Sequence, residues 1–196
     1  MIVITLLMGC STDKEVANTE GTDSLAQTTT VPPAQKVGWY IRLNAKTTSL
    51  EDNGTVLGYL EGAMDGKDRY DSKALSAYGL YTTVYHEEYN EKEYRTDYRR
   101  YAKAGDKTDI WIIKVHSGDP LADVTLTWDG ITFVLKNAEG NYEEEHQNDA
   151  PELEHMKVVD ITTGEEIPVS NNSMGISFNM NGSQERTFKW MILKDE

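Results

Sequence analysis

Residues 124–135 read Val-Thr-Leu-Thr-Trp, then Asp129-Gly130, then Ile-Thr-Phe-Val-Leu. Val124, Leu126 and Trp128 alternate with threonines, a two-residue period that is typical of a half-buried β-strand. The second flank is rich in the β-branched and aromatic residues that pack well on pleated surfaces. Asp-Gly readily supplies the positive φ angles of a two-residue turn. The stretch therefore predicts a β-hairpin and points to an all-β fold.

Strand patterns of the same kind recur along the rest of the chain, separated by polar turn residues. Residues 156–160 are predicted to pair with residues 166–169 across Thr163-Gly164. Many short strands with polar turns are typical of a sandwich. The sequence thus predicts a single antiparallel β-sandwich domain, Ig-like or jelly-roll-like, over residues 38–196. Its other strands are expected at residues 37–44, 56–60, 78–86, 110–115, 174–180 and 187–193.

Residues 87–103 allow two interpretations. Tyr94, Tyr98 and Tyr101 have helical spacing, among frequent Glu, Lys and Arg residues. Against a helix, Ala104-Gly105-Asp106 is typical of a turn that leads into the strand at Trp111. We favour a strand in this region that pairs with the Trp111 strand.

The N-terminus carries a targeting pattern. Residues 1–9 are apolar, and Leu6-Leu7-Met8-Gly9-Cys10 resembles a bacterial lipobox. The resemblance implies that residues 1–9 are a signal peptide and that Cys10 carries a lipid. The missing basic residues indicate that this signal peptide is truncated at its start. It also implies a membrane-anchored lipoprotein of the bacterial cell envelope that faces the periplasm or the cell exterior. The alternative is an apolar N-terminus with a chance cysteine.

Residues 10–37 would follow the lipid as a linker. They are rich in Ser, Thr, Asp, Glu, Ala and Gly and include Pro32-Pro33 near their end. Such a composition buries too little apolar surface to offset the entropy of ordering, so we expect a flexible tether. Cys10 is the only cysteine, which excludes an internal disulfide.

The charge of the chain excludes some partners. With 19 basic and 33 acidic residues, the net charge is −14. Such a field repels phosphate backbones and anionic lipid surfaces, so we expect no nucleic-acid partner and attachment to a membrane only through the lipid. Seven acids and no Lys or Arg lie in residues 137–155. We interpret this segment as a solvated loop, with a cation site at residues 143–145 or Asp149 as the alternative.

A second acidic motif suggests calcium. Asp65, Asp68 and Asp71 lie three residues apart, and Gly62 and Gly66 break any helix there. Carboxylate oxygens on a glycine-containing loop are ligands that Ca²⁺ prefers, although the spacing does not match an EF-hand. The alternative is a structural turn whose Asp side chains bond their own backbone.

Seven of the eleven tyrosines lie between Tyr78 and Tyr101. Tyr81 and Tyr85 share one face of a predicted strand, opposite Leu80 and Val84. An exposed aromatic strip there, bordered by Glu87, Glu88 and Arg95, would stack sugar rings. In the alternative, both tyrosines face the core or cover an edge.

The sequence contains no recognisable catalytic signature. No G-x-S-x-G elbow or P-loop is present, and carboxylates are too plentiful to single out a pair. The four histidines show no zinc-type spacing, which disfavours a transition-metal site. They are His86, His116, His146 and His155.

Several short motifs resemble an accessory module of secreted and surface proteins of bacteria and archaea. They are Trp39 with Leu43, Leu57-Gly58, Gly62-Ala63, residues 65–71, residues 94–99 and Trp111. The resemblance implies a β-sandwich without catalytic residues. We therefore expect an envelope-anchored, non-catalytic binding or adhesion module for carbohydrate or a surface protein. The alternatives are a purely structural envelope lipoprotein and, less favoured, a hydrolase with dispersed carboxylates.

Overall fold

The computed structural model of the protein describes residues 33–74, 79–102, 106–170 and 175–194. The described residues all belong to one compact unit. The lipobox-like stretch, Cys10 and most of the predicted linker lie outside the described residues. No helix in the described part of the chain has the length and apolarity needed to cross a membrane.

Within these residues, the secondary structure consists of short strands and one 3-10 helix. The strand β1 begins at Gln35, ahead of the predicted domain start at residue 38, because Val37 already buries its side chain. The strands are β1 (Gln35–Lys46), β2 (Glu51–Leu60), β3 (Ser72–Lys73), β4 (Leu80–Tyr85), β5 (Glu93–Arg100), β6 (Asp109–Ser117), β7 (Asp123–Trp128), β8 (Ile131–Lys136), β9 (Tyr142–Gln147), β10 (Met156–Asp160), β11 (Glu166–Pro168), β12 (Gly175–Asn179) and β13 (Glu185–Ile192), with the 3-10 helix at Pro151–His155.

All of these strands join one hydrogen-bonded sheet. Its main path runs β11-β10-β13-β6-β4-β5-β2-β1-β7-β12, while β3 pairs with β5 and β8 pairs with both β1 and β9. The prediction of an all-β fold is confirmed, and every strand pair among the described residues is antiparallel except one. One pair, β2 with β5, is parallel, with Val56 opposite Thr96 and Leu60 opposite Arg100.

The core shows how the sheet closes in the manner of a sandwich. All four tryptophans are at most 1% exposed, so they belong to one apolar interior. The rings of Trp128 in β7 and Trp190 in β13 meet edge to face, with centroids 5.3 Å apart. Because β7 and β13 lie far apart in the strand order, this contact forms only if the sheet curls until its inner face meets itself.

The hairpin predicted at residues 124–135 is wrong. β7 and β8 both pair with β1, with Trp128 opposite Leu43 and Thr132 opposite Tyr40, so they run along β1 in succession. Three residues separate Trp128 from Thr132, whereas two separate Tyr40 from Leu43 on β1. The extra residue is accommodated as in a β-bulge. Gly130 does not adopt a positive φ. It is needed instead because a Cβ there would lie 2.1 Å from the carbonyl oxygen of Gln147.

The hairpin in this region joins β8 to β9. Asn137 Oδ1 accepts hydrogen bonds from the backbone N–H groups of Glu139 (3.0 Å) and Asn141 (2.9 Å), and Gly140 has a φ of 85°. The acidic segment is thus partly an edge strand, which corrects the predicted solvated loop. Exposed carboxylates along such an edge oppose pairing with other chains.

Two other strand predictions have clear outcomes. The pairing of β10 with β11 is confirmed, with Val159 opposite Glu166 and Gly164 at a φ of 76° in the turn. The strand favoured for residues 87–103 is confirmed as β5, but its predicted partner is wrong. β5 pairs with β2, β3 and β4, whereas β6 pairs with β4 and β13.

The outer face of β1, β2 and β8 carries a second apolar cluster. Trp39, Ile41 and Leu43 face the main core, so Tyr40 between them points to the other side of the sheet. There Tyr40 packs with Val37, Val56 and Val134, and with the partly buried Leu60 and Tyr98. Tyr40, Leu60, Tyr98 and Val134 of this cluster also line a groove that is described in the next subsection.

Candidate ligand-binding site

The predicted Tyr81–Tyr85 face is present but largely occupied by the protein itself. Both side chains are partly exposed, opposite the buried Leu80 and Val84. The Tyr81 ring stacks on the His116 imidazole, with centroids 4.4 Å apart, and the Nζ of Lys114 lies 3.9 Å from the centroid of the Tyr85 ring.

Of the polar residues expected to border this face, Arg95 is already paired with another side chain. Arg95 Nη2 donates to Asp52 Oδ1 at 2.6 Å. Burial would raise the pKa of Asp52, but the hydrogen bonds from Arg95 and Thr82, together with the charge of Arg95, outweigh burial and lower that pKa below its ordinary value. Glu87 and Glu88 lie in the exposed turn after β4.

The Asp65, Asp68 and Asp71 loop has the hydrogen bonds of a structural turn. Asp68 accepts from the backbone N–H groups of Met64 (2.6 Å) and Tyr70 (2.7 Å). Asp71 accepts from the N–H of Asp68 at 2.9 Å, and Asp65 accepts from Lys107 Nζ at 3.3 Å. Among the described residues, the ligand atoms that gather within 4.8 Å of one another belong to a different group. Calcium binding here stays a prediction of the sequence, and this geometry favours the alternative.

These aspartates nevertheless help to build a site, because they position tyrosines. Asp68 fixes the backbone of Tyr70, and Asp71 Oδ1 accepts from the N–H of Tyr98 at 3.1 Å. Burial raises the pKa of Asp71, against the effect of its hydrogen bonds with the backbone. These hydrogen bonds therefore attach the loop to β5 and fix the backbone positions of Tyr70 and Tyr98.

A groove with a volume of about 270 Å³ lies between this loop and β9. We call it the tyrosine groove, because four tyrosines from separate elements line it. The lining residues are Tyr40, Tyr70, Tyr98 and Tyr142, with Leu60, Val134, Glu61 and Glu144.

The floor of the tyrosine groove is rigid. The Tyr40 and Tyr98 rings meet edge to face, with centroids 6.3 Å apart. Burial, with the charges of Tyr40 and Glu144 adding to it, raises the pKa of Tyr98 to about 12. Its hydroxyl therefore stays protonated and remains a hydrogen-bond donor at neutral pH.

The rim of the groove is polar and open. Tyr142 on β9 is 59% exposed, so one ring is accessible from solvent. The Tyr40 hydroxyl donates to Glu144 Oε2 at 3.2 Å, and Lys136 Nζ lies 3.3 Å from Glu61 Oε2. The rim thus offers carboxylate acceptors that neighbouring side chains hold in place.

Comparisons of the chain with known proteins found no relative. No protein-family model, curated protein or solved structure matches the chain. The resemblance to a bacterial and archaeal accessory module therefore stays a prediction, as does the lipobox, since Cys10 lies outside the described residues.

A larger cavity, of about 680 Å³, is less suited to a ligand. It lies beside the start of β1, with Trp39, Tyr101 and Phe133 in its wall. The Nζ of Lys36 sits 3.5 Å from the centroid of the Phe133 ring and 3.7 Å from Glu152 Oε1. The lysine therefore already occupies the aromatic surface that a ligand would use.

The sequence pattern did not reveal the tyrosine groove. Its tyrosines come from β1, the loop after β2, β5 and β9, and no local spacing links them. Tyr98 fell in a segment with ambiguous helical spacing, and Tyr142 in a segment notable only for its charge. The one available signal was the single tyrosine within the acidic segment, since an aromatic residue on an exposed edge strand has no core to fill.

Proposed function

We propose that the protein is a cell-envelope-anchored, non-catalytic binding module that holds a sugar ring of a glycan in the tyrosine groove. The observation that carries this proposal is the convergence of Tyr40, Tyr70, Tyr98 and Tyr142 on one groove with two carboxylates at its rim. Aromatic faces pack against the apolar C–H face of a sugar, while carboxylates accept from its hydroxyls.

The size and charge of the groove narrow the ligand class. A volume of about 270 Å³ is just below the range of about 300–1,000 Å³ typical of drug-sized ligands, so the groove suits a single ring. Glu61 and Glu144 at the rim, and a net charge of −14 on the chain, disfavour anionic sugars. Neutral or amino sugars are the expected ligands.

Replacement of Tyr142 by alanine provides the test. Tyr142 is 59% exposed, so its loss should leave the folded state intact while removing an accessible stacking face. We expect the purified protein to bind a neutral or amino-sugar glycan on an array, and Tyr142→Ala to weaken calorimetric affinity about tenfold, equivalent to about 1.4 kcal/mol.

Tyr85→Ala is the matched control, because Tyr85 is also a partly exposed strand tyrosine but lies outside the groove. Equal affinity of Tyr142→Ala and wild type, with loss in Tyr85→Ala, would transfer the site to the Tyr81–Tyr85 face. Absence of any glycan ligand would favour the purely structural lipoprotein.

Because two carboxylates, Glu61 and Glu144, line one groove, the hydrolase alternative also has a test. Both are exposed at the rim, whereas a catalytic acid is usually held protonated by an apolar surrounding. Prolonged incubation with the bound glycan should release no new reducing ends. Release that Glu144→Gln abolishes would replace the binding role by hydrolysis.

Anchoring at Cys10 is part of the same proposal. It is supported by the lipobox-like residues 6–10 and by the absence of any other cysteine. Expressed in a bacterial host, the protein should appear in the membrane fraction with an intact mass that includes acyl chains on Cys10. A Cys10→Ala variant that still partitions with membranes would contradict the anchor.

A further inference from the structure

A second cluster of functional groups lies on the outer face of the sheet, away from the tyrosine groove. It consists of Glu93 in β5, His116 in β6 and Glu185 in β13, and one ligand atom from each lies within 4.8 Å of the others. His116 Nε2 is 3.3 Å from Glu93 Oε1, and His116 Nδ1 is 3.8 Å from Glu185 Oε2. The two carboxylates thus approach different nitrogens of one imidazole ring, and the three side chains still bring one ligand atom each into a common space.

The sheet fixes this arrangement. Glu185 and His116 are directly paired across β13 and β6, and His116 is paired with Tyr81 across β6 and β4. The Tyr81 ring lies nearly parallel to the imidazole, at 13°, and limits its rotation. Ligands on paired strands need little reorganisation to bind an ion, which lowers the entropic cost of binding.

One nitrogen of the His116 imidazole lacks a hydrogen bond. His116 Nε2 is buried, yet no hydrogen bond of acceptable geometry reaches it, although Glu93 is close. A metal ion held between Nε2 and Glu93 Oε1 would supply the partner that this nitrogen lacks, since neutral imidazole nitrogens are common metal ligands.

Lys114, which pairs with Glu185, does not prevent a cation from binding there. Lys114 Nζ contacts Glu185 Oε1 at 3.0 Å, and it also lies 3.9 Å from the centroid of the Tyr85 ring. An ion that takes Glu185 would leave Lys114 with the aromatic face of Tyr85 as an alternative partner.

We propose that Glu93, His116 and Glu185 form a binding site for a divalent transition-metal ion of the zinc class. One imidazole nitrogen and one oxygen from each carboxylate serve as ligands, and water completes the coordination. The imidazole selects this class over Ca²⁺ and Mg²⁺, which take oxygen ligands. Zinc bonds of about 2.0–2.2 Å place tetrahedral ligands about 3.4 Å apart, close to the His116–Glu93 separation of 3.3 Å.

The test is a calorimetric titration of the metal-free protein with ZnCl₂, together with thermal melts in Zn²⁺ and in EDTA. We expect one zinc per chain and a higher Tm in Zn²⁺. His116→Ala and Glu185→Gln should each weaken zinc binding at least tenfold. Glu185→Gln keeps the shape of the side chain, so it separates ligand loss from misfolding.

His146→Ala is the matched control, because His146 is an exposed histidine on β9 that is not part of the cluster. It should bind zinc as the wild type does, and CaCl₂ should give no heat that depends on His116. The proposal is overturned if the wild type binds no zinc, or if His116→Ala and Glu185→Gln bind it as tightly as the wild type. The tyrosine groove plays no part in this result.

Discussion

Asp97→Ala is expected to destabilise the protein by about 3–5 kcal/mol, the usual cost of removing one partner from a buried ion pair. Asp97 is 4% exposed and His86 is 7% exposed. His86 Nε2 lies 2.9 Å from Asp97 Oδ1, and Arg99 Nε donates to Asp97 Oδ2 at 3.3 Å. Removal of the carboxylate leaves the buried imidazole and the guanidinium without their shared partner.

The pKa shifts of His86 and Asp97 also predict how the stability of the protein changes with pH. Burial alone would lower the pKa of His86, but the hydrogen bond and charge of Asp97, together with the hydrogen bond to Glu88, outweigh burial and raise that pKa above 6.5. Burial would raise the pKa of Asp97, but the hydrogen bond with His86 and the charge of Arg99 lower it below 3.8. A histidine whose pKa is raised in the folded state contributes its full stabilisation at pH values below its unfolded-state pKa. An aspartate whose pKa is lowered in the folded state contributes its full stabilisation at pH values above its unfolded-state pKa.

The contribution of the pair is therefore greatest between about pH 4 and pH 6.5. It is lost as pH falls through the folded pKa of Asp97, and the His86 part is lost as pH rises through the folded pKa of His86. Denaturant unfolding of wild type and Asp97→Ala at several pH values measures the difference. Asp149→Ala, at an exposed position, is the control and should change stability little.

In the Asp97→Ala variant, burial acts on His86 without the main opposing hydrogen bond. Its folded pKa should then fall, so the variant should lose further stability as pH drops below about 6.5. A stability difference between wild type and variant that does not change with pH would contradict the assignment of His86 and Asp97 as a coupled pair.

Trp128→Ala is the second change with a large expected effect, a loss of about 3–5 kcal/mol in the free energy of unfolding. Trp128 is 1% exposed, and its ring meets Trp190 across the core at 5.3 Å. The substitution removes both the transferred apolar surface and the contact that joins distant parts of the sheet.

Denaturant unfolding followed by circular dichroism measures this loss, with Leu121→Ala as the control, since Leu121 is 71% exposed. Trp128→Phe should lose less than Trp128→Ala, because part of the ring volume is kept. If Trp128→Ala costs no more than the Leu121 control, β7 and β13 do not face each other across one core.

The sequence determined the class of fold because side-chain periodicity is a local property. Trp39, Ile41 and Leu43 lie on the buried face of the strand predicted at residues 37–44, and the β10–β11 hairpin follows from its turn residues. Aspartate side chains also act locally, so the alternative of a structural turn for Asp68 and Asp71 could be stated in advance. Each of these features depends on residues only a few positions apart.

Strand partners and functional groups were decided only by the tertiary structure. Asp129-Gly130 carries the residue signature of a turn, but the competing partner β1 pairs with both flanks, and Gly130 serves a close backbone approach. The tyrosine groove and the Glu93–His116–Glu185 cluster each join residues from three or more separate elements. Such convergence is set by how the sheet curls and registers, which leaves no spacing in the sequence to detect.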